Sequence, residues 1–160
     1  MMFRFSLVVI LMTIFYSCSE DDKKAVVETQ QPNVESQTLK NTSLVILGTS
    51  QDAGSPQIGC PKPCCTELDE LEVSKRKVSA LGIIDADQNK QYLIDATPDI
   101  ASQIQQLNHY SDSAGLPDAI FLTHAHIGHY TGLMYLGKEA INSHKIKVFG
   151  MPRMNGFLRN

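Results

Sequence analysis

The sequence predicts a mixed α/β domain in which helices cover the faces of a sheet, and three observations carry that reading. Short apolar runs recur at Leu44–Leu47, Val78–Ile84, Tyr92–Ile94 and Ala119–Leu122, the length expected of strands. Between the third and fourth runs, Ile100, Ile104 and Leu107 recur at helical spacing. The resulting order of strand, hairpin, helix, strand, helix, strand contains no internal repeat and suits helices packed on a sheet.

Each element has a local reason. Leu44–Leu47 is followed by Gly48, Gly54 and Pro56, which mark a loop. Val78–Ile84 and Tyr92–Ile94 flank the polar turn Asp87-Gln88-Asn89-Lys90 and read as a hairpin. Thr97 is placed to cap the next helix, with Pro98 at its first position. Ala119–Leu122 is a buried strand that runs directly into histidines. "TGLMYLGKEAI" then predicts a helix with Leu133, Leu136 and Ala140 on one face, and "KIKVFG" predicts a last strand. Nothing in "MPRMNGFLRN" predicts a closing element, so the expected sheet keeps an open edge and a half-covered face, as in a truncated chain.

Composition allows one domain. The chain has 160 residues, 42% of them hydrophobic, and a net charge of -3. No basic patch with interleaved aromatics is present, which excludes nucleic acid as an expected partner.

The N-terminus reads differently. Arg4 precedes an apolar run from Phe5 to Tyr16, then Ser17 and Cys18. A helix of that length spans about 18 Å, short of the roughly 30 Å of a bilayer core. Such a run suits a secretory signal peptide over residues 1–17. A cysteine directly after a small residue resembles a bacterial lipobox, which makes Cys18 the expected lipidation site. Residues 18–42 are polar and without apolar period, a flexible tether, and the domain is expected over residues 43–160. "SEDDKK" after Cys18 resembles the acidic export signal of surface lipoproteins. The expected location is therefore the outer membrane or cell surface of a Gram-negative bacterium, with the lipid anchor as the membrane contact.

The chemistry lies in "FLTHAHIGHYTGL". Three of the five histidines, His124, His126 and His129, fall within six residues. On an extended segment His124 and His126 point the same way, and His129 lies where the loop turns into a helix. Neutral imidazoles at that spacing suit a divalent metal ion such as zinc. The loop after a sheet strand is also where α/β folds place their chemistry. His144 reads as solvated.

"THAHIGH" resembles the H-x-H-x-D-H motif of the metallo-β-lactamase superfamily. "ILGTSQDAGSPQ" is similar to the first strand and Gly-rich loop of the branch holding tRNA 3'-processing endonucleases, phosphonate-pathway cyclic phosphodiesterases and pyrroloquinoline quinone biosynthesis B proteins, the last type being nearest. Asp95 in "LIDATPD" matches the aspartate that ends a strand near the site. The resemblance implies the N-terminal half of an αββα sandwich and a metal-dependent hydrolase of a small-molecule ester, phosphodiester or lactam-like bond, attacked by metal-activated hydroxide. It implies that His124 and His126 hold a first metal and His129 a second, with further ligands downstream. Where the motif has aspartate this chain has Gly128, which removes a ligand of the second metal. One metal, a carboxylate from elsewhere, or binding without hydrolysis are the three consequences, the last making the chain a non-catalytic surface binding protein. A fragment without function of its own is the remaining alternative.

"CPKPCC" supplies Cys60, Cys64 and Cys65, an odd number for an exported chain. One disulfide from Cys60 to Cys64 or Cys65 plus a free thiol is one reading. A structural zinc, which the resemblance implies because that branch carries cysteines after the same loop, is the other.

Overall fold

In the computed structural model, residues 37–113, 115–144 and 146–160 are described. The chain divides into two units, 1–34 and 35–160, and only the second contains described residues. The expected signal peptide, the lipidation site Cys18 and the tether as far as residue 36 lie outside the described residues.

Five strands form one sheet in the order β1-β2-β3-β4-β5. The strands β1 (Ser43–Gly48), β2 (Ala80–Asp85) and β3 (Lys90–Ile94) pair antiparallel. The strands β4 (Ala119–Leu122) and β5 (Lys147–Gly150) then add parallel to β3. This is the mixed α/β architecture expected. Two successive antiparallel pairings make β1 run in the direction of β3, β4 and β5. The segments that leave β1, β3 and β4 therefore emerge at the same end of the sheet, and all the candidate chemistry gathers there.

Alternation sorts the side chains by face. Leu47, Ala80, Ile84, Leu93, Ile120 and Leu122 are buried and form the core with Ile100 and Leu107 of α3 (Ile100–His109). Leu107 lies directly over Gly82 of β2. The intervening residues of the sheet form a second apolar face that is only half covered. On it Phe121 and Phe149 stack at 5.0 Å, and Tyr92 meets Phe121 edge-on. An open hollow of about 630 Å³ lies over this face, lined by Tyr92, Phe121, His144 and Phe149 among others, away from the histidine cluster. Leu39, expected in the tether, packs on the core side, and its backbone N–H donates to the Tyr110 carbonyl at 2.9 Å.

The hairpin and α3 follow the sequence pattern, but the start of α3 does not. Its first residue is Ile100, with Asp99 as N-cap and no side-chain cap. Thr97 is buried and accepts instead from the Asp99 N–H at 3.1 Å, and its hydroxyl donates to Gln103 Oε1 at 2.6 Å. The Gln103 amide in turn donates to the Val78 carbonyl, so Thr97 serves a buried polar chain rather than the helix end.

The expected helix over "TGLMYLGKEAI" is also absent. A four-residue helix, α4 (Ile127–Tyr130), tightens into a 3-10 turn at Thr131–Leu136, and Ala140 is exposed. The cause is a close approach. The Gly132 N–H donates to the Ala96 carbonyl at 2.9 Å, and a Cβ at Gly132 would collide with the Thr97 carbonyl oxygen and the Ala96 backbone. Backbone packed that tightly leaves no room for a regular α-helix to continue.

Three helices were not anticipated. α1 (Pro63–Thr66) and α2 (Glu70–Lys75) fill the long connection from β1 to β2. α2 carries a capping box between Asp69 and Glu72, a signal present in the sequence as D-x-x-E. After β5, α5 (Pro152–Arg159) starts with proline at its first turn and buries Met154. No helix among the described residues is long and apolar enough to cross a membrane.

Gly132→Ala is expected to destabilise the protein by about 1–3 kcal/mol, because the added methyl must displace backbone. Urea unfolding measures this, and an unchanged midpoint would show that the close approach carries no constraint.

Candidate metal centre

Asp95, Thr123, His124, His126 and His129 meet where β3 and β4 end, and the loop leaving β1 adds Asp52. Asp95 is 6% exposed and holds a left-handed backbone, φ 68°, which is uncommon for a residue other than glycine. Its N–H donates to the Phe121 carbonyl, so that turn is bonded to β4. Its Oδ1 accepts from the Thr123 backbone N–H at 2.8 Å, and Oδ2 accepts from His129 Nδ1 at 2.8 Å. The Thr123 hydroxyl lies 2.9 Å from both carboxylate oxygens and 2.8 Å from His124 Nδ1.

This network selects tautomers. A Thr123 hydroxyl that donates to Asp95 leaves its oxygen to accept from His124 Nδ1–H. His124 then carries its proton on Nδ1 and leaves Nε2 unprotonated, whereas His129 lies between two carboxylates, donating from Nδ1 to Asp95 and, when protonated, from Nε2 to Asp52. Ring orientation and tautomer of metal-binding histidines are commonly set this way. Sequence had placed Asp95 near the site; the geometry gives it contact with one imidazole directly and with a second through Thr123.

The three imidazoles cluster tightly. The ring centroids of His124 and His126 are 4.5 Å apart, and those of His124 and His129 are 4.2 Å apart. His124 and His126 are exposed, whereas His129 is 9% exposed.

Asp52 is the residue that sequence reasoning missed. Its Oδ1 lies 2.9 Å from His129 Nε2 and its Oδ2 lies 3.2 Å from His126 Nδ1. Ligand atoms of Asp52, His124 and His126 all fall within 4.8 Å of one another. Two imidazoles and a carboxylate converging on one point, with a third imidazole adjoining, fit a divalent metal ion by donor chemistry. His129 adjoins this set through Asp52 rather than lying within it. "SQDAG" carries no metal spacing of its own, and 72 to 77 residues separate Asp52 from the histidines, so no local signal identified it.

Charge follows the contacts. The hydrogen bond from His129, together with the nearby imidazoles, lowers the Asp52 pKa below its ordinary value. Burial pushes the His129 pKa down, but the hydrogen bonds to Asp95 and Asp52 outweigh it and leave the value raised.

The cysteines form a separate cluster. Cys60 precedes α1 and Cys64 and Cys65 lie within it. Their sulfur atoms all lie within 4.8 Å of one another, and none is in a disulfide in this structure. A hydrogen bond between Cys60 and Cys65 raises the pKa of the first and lowers that of the second. Three thiols are one short of the four ligands of a closed structural zinc site.

Comparison with known proteins gives likenesses of sequence and of fold. Residues 90–160 match the beta-lactamase superfamily domain. That part of the chain is similar to this superfamily domain. Two curated relatives share sequence with the chain. An octanoyltransferase of Porphyromonas gingivalis is 37% identical over 91 residues, which cover 56% of this chain and 16% of that protein. Coenzyme PQQ synthesis protein B of Methylococcus capsulatus is 32% identical over 96 residues, covering 57% of this chain and 32% of that protein. Among solved structures, zinc-bound PqqB from Methylobacterium extorquens superposes with a TM-score of 0.57 and 26% identity, over 72% of this chain and 39% of that one. A diphosphatase of the PhnP family superposes with a TM-score of 0.55 and 24% identity, over 74% of this chain and 44% of that one, a likeness of fold. The chain thus spans less than half the length of each of these proteins. The resemblance drawn from "THAHIGH" and the Gly-rich loop led to the same branch.

Two outcomes test the network. Asp95→Asn presents an amide donor to His129 Nδ1 and reverses its tautomer, so metal affinity is expected to fall about 10- to 100-fold in a chelator competition. In metal-stripped protein, the raised His129 pKa implies stability that is complete below its ordinary value of 6.5 and is lost as pH rises through the folded value. The lowered Asp52 pKa implies stability present above 3.8 and lost as pH falls below it. Urea unfolding of wild type and His129→Gln should therefore converge on the alkaline side; parallel profiles between about pH 6 and about pH 8 would contradict this.

Proposed function

We propose that the full-length protein is a lipid-anchored, metal-dependent hydrolase of the metallo-β-lactamase superfamily. The observation that supports it best is the convergence of Asp52, His124 and His126, with His129 adjoining, at the end of the sheet where three parallel-running strands finish. Zinc is the proposed metal, on the strength of the imidazole donors and of the zinc-bound PqqB neighbour. A divalent ion held here would supply an activated water at neutral pH and polarise the substrate oxygen.

The chain's own residues prepare that site. Asp95 fixes His129 directly and His124 through Thr123, so the imidazoles need little reordering on binding. His124 and His126 are exposed, which leaves the site open to a small-molecule substrate. The bond cleaved is proposed to be an ester, phosphodiester or lactam-like bond. The PhnP-family neighbour is described as a diphosphatase, which makes phosphoester substrates the first to try. The proposed location, outer membrane or cell surface through lipidated Cys18, sets the protein apart from cytoplasmic cofactor assembly and from tRNA processing.

The other reading, a surface protein that binds without turnover, drew its support from Gly128. A carboxylate from Asp52 at the same place weakens that support.

Hydrolysis of bis(p-nitrophenyl) phosphate by the full-length protein is expected to need added zinc or manganese, to stop on chelation and to return on reloading. His124→Ala is expected to abolish both metal uptake and turnover. Metal content unchanged by this substitution would refute the site, and metal uptake without turnover on any ester, phosphodiester or lactam would favour the binding protein.

A further inference from the structure

We propose that Asp52, carried by the loop after β1, is the carboxylate ligand of the histidine site in place of an aspartate at position 128, and that position 128 is glycine because Asp52 fills its space. The inference rests on the metal-site reading above and goes beyond it, because it assigns a ligand from a loop that no histidine-motif spacing reaches.

Two independent observations support it. The first is the position of the carboxylate. Both Asp52 oxygens face imidazole nitrogens, Oδ1 toward His129 at 2.9 Å and Oδ2 toward His126 at 3.2 Å. Asp52 also shares a common ligand region with His124 and His126. A carboxylate with one oxygen toward each of two imidazoles can serve an ion on either side of it.

The second is steric. A Cβ built on Gly128 would lie 2.5 Å from Asp52 Cα, 2.7 Å from its carbonyl oxygen and 2.8 Å from its Cβ. Real Cβ atoms do not approach backbone so closely, so residue 128 can bear a side chain only if the Asp52 loop moves away. The volume that an aspartate at 128 would enter is the volume that Asp52 occupies. Gly128 is buried and carries no positive φ, so its requirement is space rather than backbone freedom. A missing ligand and a glycine are then one feature: the carboxylate enters from the β1 loop, and the α4 backbone yields room for it. A carboxylate is also the donor this site needs, because a hard anionic oxygen complements the neutral imidazoles around a divalent ion.

The test uses Co2+ titration of the full chain, followed by visible absorption. A thiolate-to-cobalt band reports the cysteine cluster separately from the histidine site. Asp52→Asn keeps size and removes charge. It is expected to lower Co2+ affinity at the histidine site at least about 10-fold and to alter its visible spectrum, with the thiolate band unchanged. Gly128→Ala, with Asp52 intact, is expected to lower affinity in the same way by pressing the loop aside. Unchanged affinity in Asp52→Asn, while His124→Ala loses binding, overturns Asp52 as a ligand and leaves the metal site standing. Unchanged affinity in Gly128→Ala overturns the steric argument. If His124→Ala also binds as wild type does, the metal-site reading and this inference both fall. Melting curves of each variant separate lost binding from lost folding, which matters for Asp52→Asn because Asp52 also bonds the buried His129.

Discussion

The buried carboxylate of Asp95 joins the ends of β3 and β4, and the site depends on that junction. It accepts from the Thr123 backbone on one oxygen and from His129 on the other, and it does so from a left-handed turn that its own N–H ties to β4. A buried carboxylate without partners would be costly, so the turn, the strand end and the imidazole hold one another in place. The neighbouring residues extend the same lock. The Ala96 N–H donates to the His129 carbonyl and the Ala96 carbonyl accepts from Gly132, which fixes the α4 segment against the β3 exit. The rigidity of the histidine cluster therefore comes from backbone hydrogen bonds behind it rather than from the exposed rings themselves.

The loop between β1 and α1 serves two clusters. Asp52 at its start faces the imidazoles, and Cys60 near its end faces Cys64 and Cys65. Backbone bonds within the loop, from Gly54 to Gln51 and from Cys60 to Gln57, keep it folded between those two points. A loop of this length without a strand or helix of its own is uncommon, and the usual reason for such loops is function. Its two ends differ in softness: thiols at one, carboxylate and imidazole at the other.

Much of the scaffold was legible. β4 and the hairpin follow from apolar runs and a polar turn, because a strand buried on one face must show that pattern locally. The histidine trio was legible for the same reason, since an extended segment aligns residues two apart. Elements governed by contact were not. Nothing in "TGLMYLGKEAI" betrays the 3-10 turn, because its cause is the Ala96–Thr97 backbone some 35 residues earlier pressing on Gly132. Thr97 has the chemistry of a helix cap but is drawn into a buried chain through Gln103 to Val78, and the sequence does not rank one hydrogen bond over the other. The α2 capping box was present and overlooked; α5 was masked by a short amphipathic segment that opens with proline.

The sequence alone determined the mixed α/β class, the motif resemblance and the three imidazoles, because each rests on residues close together in the chain, where spacing translates directly into geometry. Only the tertiary structure decided where the carboxylate comes from. In the linear motif Gly128 is a gap. Folded, it is the space that Asp52 enters from a loop 76 residues away, brought there because β1 and β4 run in the same direction and release their chains at the same edge. Close packing, unlike periodicity, leaves no mark on the sequence until both partners are known.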